Sequence, residues 1–128
     1  MEGCIVTDLK VHSQRNCYRL SPEQMQAIQN QGVSVHLEPG PNIVKLREGS
    51  FSYAAGLTAE PVVLLWIYGG KVINKKTNVE VGATWASLNG FDDALVMDVV
   101  EPATLCAFFF DTEITDNEGE LTLSVVRI

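Results

Sequence analysis

Between Phe110 and Leu121 the chain places Asp111, Glu113, Asp116, Glu118 and Glu120 in one connection, with Thr112, Thr115 and Asn117 adding neutral oxygens. Carboxylates this close repel one another unless water screens them or a cation bridges them. Ca²⁺ takes about six to eight oxygen ligands at roughly 2.3–2.6 Å, and the connection can supply most of such a set. The spacing is not that of an EF-hand, because Gly119 falls too late and the flanking segments read as strands. A cation site here has to be built between two strands with help from a neighbouring loop. Composition alone leaves a second reading open, that of a solvated acidic hairpin loop.

Other side chains offer less. Asp92 and Asp93 with a histidine, or two loop carboxylates acting as acid and base, are the best catalytic constellation available. Adjacent strand residues point to opposite faces, however, so Asp92 and Asp93 read as polar hairpin residues after Asn89-Gly90. His12 has no acid partner near it in sequence, and His36 sits in an alternating strand, so both read as surface or structural residues. No nucleophile elbow, phosphate loop or HExxH helix occurs. Lys71, Lys75 and Lys76 around Asn74 form a local basic cluster that reads as a hairpin tip. Cys4, Cys17 and Cys106 lack CxxC spacing, which points away from a zinc knuckle. Cys106 reads as a small core residue, and a Cys4–Cys17 disulfide would imply export.

The elements that must position the acidic connection are mostly strands. Short runs rich in valine, isoleucine and aromatics, bounded by Gly, Pro, Asn and Asp, occur at Val33–Leu37, Asn42–Arg47, Phe51–Tyr53, Val62–Tyr68, Glu80–Trp85, Ala94–Val100, Leu105–Phe110 and Leu121–Ile128. Spacings of roughly 8 to 12 residues and the lack of long intervening helices predict an all-β, antiparallel two-sheet β-sandwich. Val62–Ile67 is continuously apolar and reads as central, whereas Leu121–Val125 alternates and should have one wet face. One short helix is expected after Ser21-Pro22-Glu23-Gln24, an N-cap serine with proline at the first helical position, stopping at Gly32. Met25 and Ile28 would face the core.

At 128 residues, 46% hydrophobic and 20% charged, with a mean hydropathy of +0.10, the chain suits a single domain with one core. A net charge of −7 argues against nucleic acid or an anionic membrane as partner, since both call for a basic face. The sequence has neither a signal-like N-terminus nor a stretch of about 18 apolar residues, so the expected location is cytoplasmic, without membrane insertion.

Asp111 followed by Asp116-Asn117-Glu118-Gly119 and an alternating final strand resembles the closing segment of soluble, calcium-dependent galactose-binding bacterial lectins. Pro39-Gly40-Pro41-Asn42-Ile43-Val44, continuing to Gly49-Ser50-Phe51-Ser52-Tyr53, is similar to that family's turn, strand and Gly-x-x-Ser-Tyr stretch. A weaker similarity runs from Val63 to Gly70 and on to Val79–Gly82. The resemblance spans residues 33–128, with residues 1–32 reading as an N-terminal extension. It implies a jelly-roll, galactose-binding-domain-like sandwich and a Ca²⁺ held by the Tyr53 carbonyl, Asp111, Thr115 or a neighbour, Asp116 and Asn117.

The chain also departs from that family. The histidine and glutamine with which those lectins reach galactose lie on a long loop after the tyrosine. Here only Ala54–Pro61 intervenes before Val62, so galactose specificity does not carry over. The loop carrying Asp111 is also shorter than in those lectins. The resulting expectation is a noncatalytic, calcium-dependent carbohydrate-binding protein, with Asp111, Asn117 and Phe91 at the ligand and a carbohydrate or glycoconjugate as partner. Phe91, on the Asn-Gly turn, would stack on a sugar, whereas Trp66, Tyr68 and Trp85 read as core. A homo-oligomer would add avidity. The alternative is an interaction or oligomerisation module that keeps the fold and binds no sugar, and behind it a glycan-acting hydrolase.

Overall fold

The computed structural model describes residues 5–18, 26–28, 32–50, 52, 61–110 and 117–127. Eleven strands are placed among these: β1 (Ile5–His12), β2 (Cys17–Tyr18), β3 (Val33–Leu37), β4 (Gly40–Gly49), β5 (Val62–Tyr68), β6 (Lys71–Asn74), β7 (Val79–Val81), β8 (Thr84–Asn89), β9 (Ala94–Glu101), β10 (Ala103–Phe110) and β11 (Glu120–Arg127). They form an all-β two-sheet sandwich. One sheet runs β1-β11-β4-β9-β6-β7, and the other runs β2-β10-β5-β8 with β3 also on β10. Pairing is antiparallel throughout except for β2, which lies parallel to β10 with Cys17 opposite Phe109. β3 takes the Ala103–Ala107 part of β10 and β2 its far end, so two short strands share one edge.

Alternation decides which side chains meet between the sheets. Leu9 and Val11 from β1, Val44 and Leu46 from β4, Leu95, Met97 and Val99 from β9, and Leu123 and Val125 from β11 face Val63, Leu65 and Ile67 from β5 and Leu105, Ala107 and Phe109 from β10. Each large apolar side chain buried this way stabilises the fold by roughly 1.5–3 kcal/mol. A second cluster lies on the opposite face of the β10–β5 sheet. There a helical turn at residues 26–28 sets Ile28 against Tyr18, Cys106 and Phe108. The Gly32 N–H donates to the Ile28 carbonyl at 3.1 Å, and a Cβ at Gly32 would lie 2.5 Å from that oxygen, so this close approach calls for glycine; the expected helix end over residues 29–31 lies outside the described residues. The start of the expected helix, with Ser21, Pro22 and Met25, lies outside the described residues.

Several expectations are corrected by register. Residues 5–12, expected to belong to an extension, pair with β11 over their whole length, from Ile5 opposite Arg127 to His12 opposite Glu120. Glu80–Trp85, expected as one strand, is a corner at Gly82-Ala83 where β7 of one sheet hands over to β8 of the other. The outer side of β11 is not uniformly wet. Thr122 is buried because Lys10 Nζ donates to its Oγ1 at 2.7 Å. Lys71, Lys75 and Lys76 do sit on a hairpin, paired with Glu101, Asp98 and Asp93. No described helix is long and apolar enough to cross a membrane.

Candidate functional site

The two segments that carry the family resemblance meet. β4 ends at Gly49, opposite Leu121 of β11, and the chain continues alongside the acidic connection. The Ser50 N–H donates to the Glu120 carbonyl at 3.3 Å, the Ser52 N–H to the Glu118 carbonyl at 2.9 Å, and the Glu118 N–H back to the Ser52 carbonyl at 3.1 Å. Gly49 makes this possible. Its φ is +96°, and a Cβ there would lie 2.0 Å from the Glu120 carbonyl oxygen, a contact no side chain tolerates.

Asn117 stands next to this bridge and is only 2% exposed. Its Nδ2 donates to the Ser13 carbonyl at 3.1 Å and to Cys17 Sγ at 3.2 Å. Its backbone carbonyl accepts from Gln14 Nε2 at 3.0 Å, and the Gly119 carbonyl accepts from the Ser13 N–H at 3.1 Å. The turn after β1 therefore clamps the end of the acidic connection. That turn is itself held by the His12 N–H on Asn16 Oδ1 at 2.8 Å and by the Gln14 N–H on His12 Nδ1 at 3.0 Å, so His12 is structural. Asn117 Oδ1 is buried and has no hydrogen-bond partner among the described residues. Rotating the amide by half a turn would bring Oδ1 onto the Ser13 carbonyl, so that acceptor fixes which atom is left over.

An unsatisfied buried amide oxygen costs about 1–3 kcal/mol and calls for a partner. An amide oxygen can also ligate a hard cation, and Asn117 is the one member of the expected calcium set among the described residues. Tyr53, Asp111, Thr115 and Asp116 lie outside the described residues. Among the described residues no three His, Cys, Asp or Glu side chains gather into a metal-holding group.

Phe91 lies on the turn after β8. With Asp92 it lines a basin of about 510 Å³ on the outer face of the six-stranded sheet, together with Ile43, Lys45, Leu46, Arg47, Ser124 and Val126. Ser52, Asn117 and Glu118 are not among the residues that line this basin. Asp93, expected as a hairpin polar residue, is one: its Oδ2 accepts from the Asn89 N–H at 3.0 Å.

The outer face of the other sheet carries an aromatic row. Trp66 and Trp85, opposite each other on β5 and β8, stack with ring centroids 4.7 Å apart and planes 8° apart. Trp66 also meets Tyr68 at 4.9 Å, and Phe108 meets the Trp85 ring edge-on at 5.8 Å. Trp85 is 49% exposed. It was expected in the core, but β8 is an edge strand and nothing described covers its outer face. Cys106 beneath this row is buried, as expected, with its Sγ 3.8 Å from both the Ile28 carbonyl and the Tyr68 hydroxyl. Burial pushes its thiol pKa up, partly offset by the Tyr68 hydroxyl.

No family model and no curated protein matches the chain. Among solved structures it is similar to the isomalto-dextranase of Arthrobacter globiformis T6, complexed with panose, at 12% identity and a TM-score of 0.30. The likeness covers 75% of this chain and 16% of the enzyme's chain, and at that score it carries no argument about either fold or activity.

The clamp by Ser13 and Gln14 was missed in the sequence, although it had a signal. Thr7, Leu9 and Val11 alternate with Asp8, Lys10 and His12, a strand pattern of period two, and Ser13 and Asn16 are turn formers directly after it.

Proposed function

We propose that this protein is a noncatalytic, calcium-dependent carbohydrate-binding module whose cation is held at the end of the acidic connection. The observation that carries the reading is the Ser52–Glu118 backbone pair with the unpartnered Asn117 Oδ1 beside it. Asn117 Oδ1 offers a fixed oxygen, with Asp111, Asp116, Thr115 and the Tyr53 carbonyl as its proposed companions. A bound Ca²⁺ would accept two vicinal sugar hydroxyls in place of waters. Carboxylates next to those hydroxyls would take their protons as hydrogen-bond acceptors, so the site supplies position and no acid–base step.

Calorimetric titration with Ca²⁺, followed by a glycan array with and without chelator, tests the reading. Micromolar to millimolar calcium binding and chelator-sensitive glycan capture support it, and Asp111→Asn should weaken calcium binding. No heat at millimolar Ca²⁺ would remove the metal. A second reading, an interaction module that binds no sugar, is favoured by the half-exposed Trp85 on the outer aromatic row. Calcium binding without glycan capture would support that reading, with the ion stabilising only the folded state.

A further inference from the structure

The basin around Phe91 has a composition of its own. Its apolar wall is a cross-strand pair, Val126 of β11 opposite Ile43 of β4. Leu46 lies beneath, and Phe91, 43% exposed, closes one end. A volume near 510 Å³ falls in the range of small-molecule sites, about 300–1,000 Å³.

The charges on the rim are unequal in availability. The Arg47 guanidinium is spent on the Asp8 carboxylate, whose other oxygen accepts from Ser124 Oγ at 2.6 Å. Lys45 and Asp92 also line the basin. Their charged groups make no hydrogen bond or ion pair among the described residues, with each other or with anything else. A monoanion placed on the apolar wall would meet Lys45 favourably and Asp92 unfavourably, and a monocation the reverse. Only a ligand carrying both signs is favoured by both.

We propose that this basin binds a small zwitterion with an apolar side chain, the chemistry of a free apolar α-amino acid. The carboxylate pairs with Lys45, the ammonium with Asp92, and the side chain lies on Phe91, Ile43 and Val126. The site is separate from Asn117 and does not depend on calcium.

Titration of the uniformly ¹⁵N-labelled full chain with L-phenylalanine, 3-phenylpropionate and phenethylamine, followed by amide chemical shifts, tests this. The expected result is shifts centred on Ile43, Phe91 and Val126, unchanged by chelator, with phenylalanine bound about two- to fivefold tighter than either singly charged analogue, the size of an exposed ion pair. Lys45→Met should erase the advantage over phenethylamine and Asp92→Asn the advantage over phenylpropionate, while Phe91→Ala weakens all three ligands. Equal affinity for the three ligands in the unmodified protein overturns the proposal without any variant, as does the absence of shifts at those amides. Shifts that appear only with calcium would place the ligand at the other site and overturn it too.

Discussion

Ser52 and Glu118 exchange both of their backbone hydrogen bonds, at 2.9 and 3.1 Å, although they belong to distant parts of the sequence. The pair ties the end of the β4 segment to residues 118–120 without relying on side-chain contacts. Backbone pairing of this kind tolerates changes in the loop's side chains, but it depends on the approach path set at Gly49.

Gly49→Ala should therefore be costly for a surface substitution. The left-handed φ alone costs about 1–3 kcal/mol, and the added methyl would drive Glu120 out of the β4–β11 ladder. Urea unfolding of the variant should show that loss. If calcium binding falls more steeply than stability, the Ser52–Glu118 pair is a condition of the site.

Asn117→Asp separates structure from binding. A carboxylate in place of the amide sets an oxygen against the Ser13 carbonyl and removes the donor to Cys17, so the melting temperature in chelator should fall below that of the unmodified protein. With a cation at Oδ1 the added charge is compensated, and the rise in melting temperature on adding Ca²⁺ should exceed that of the parent. Asn117→Ala should lose about 1–3 kcal/mol through the unpaired Ser13 carbonyl and gain little from Ca²⁺. An equal calcium response in all three proteins would exclude Asn117 as a ligand.

The strand-rich architecture was legible because alternation and turn residues are local signals, and β5, β9 and β10 lie close to where those signals put them. The meeting of Gly49–Ser52 with Asn117–Glu120 was legible only through resemblance, since no local rule pairs segments so far apart. Phe91 was legible only in part. Its place on an Asn-Gly turn announced exposure, but the sheet face behind it depends on the register of β4 against β11 and β9, which residue types do not fix. Trp85 was assigned to the core by its size, and the topology then left β8 as an edge.

Trp85 and Phe108 should respond differently to truncation. Phe108 is fully buried in the second cluster, so Phe108→Ala should cost about 3–5 kcal/mol. Trp85→Ala removes one stacked and one edge-on contact at a half-exposed position, worth about 0.5–1.5 kcal/mol each. It should leave folding intact while changing the tryptophan emission. A glycan or protein partner whose capture is lost in Trp85→Ala but not in chelator would mark the aromatic row as its contact.

The Asp8 carboxyl should titrate below its ordinary value of 3.8, above all because Ser124 Oγ donates to it; desolvation opposes this, and the Arg47 charge and hydrogen bond and the Lys10 charge add to the depression. A depressed carboxyl stabilises the fold above its unfolded value, and that contribution is lost as the pH falls through the lower folded value. Carboxyl-detected NMR titration should place the midpoint under 3.8 and should move it upward in Ser124→Ala. An unchanged midpoint in that variant would assign the depression to the Arg47 and Lys10 charges.

Alkali should act first on the second cluster. Burial raises the pKa of Cys106 above its usual 9.0 and those of Tyr18 and Tyr68 above 10.0, and all three lie in the contacts around Ile28 and Phe108. For each group the unfolded chain releases its proton before the folded one does. Stability is therefore intact below about pH 9 and is lost as the pH rises through the raised folded values. The Cys106 thiol should accordingly resist a thiolate-directed reagent at pH 8 in the native state and react at once in denaturant, because the thiolate is the nucleophile. Cys106→Ala should shift the onset of alkaline unfolding upward, toward the range set by the tyrosines alone. Rapid native-state labelling at Cys106 would show that the helical turn at residues 26–28 does not keep the thiol from solvent.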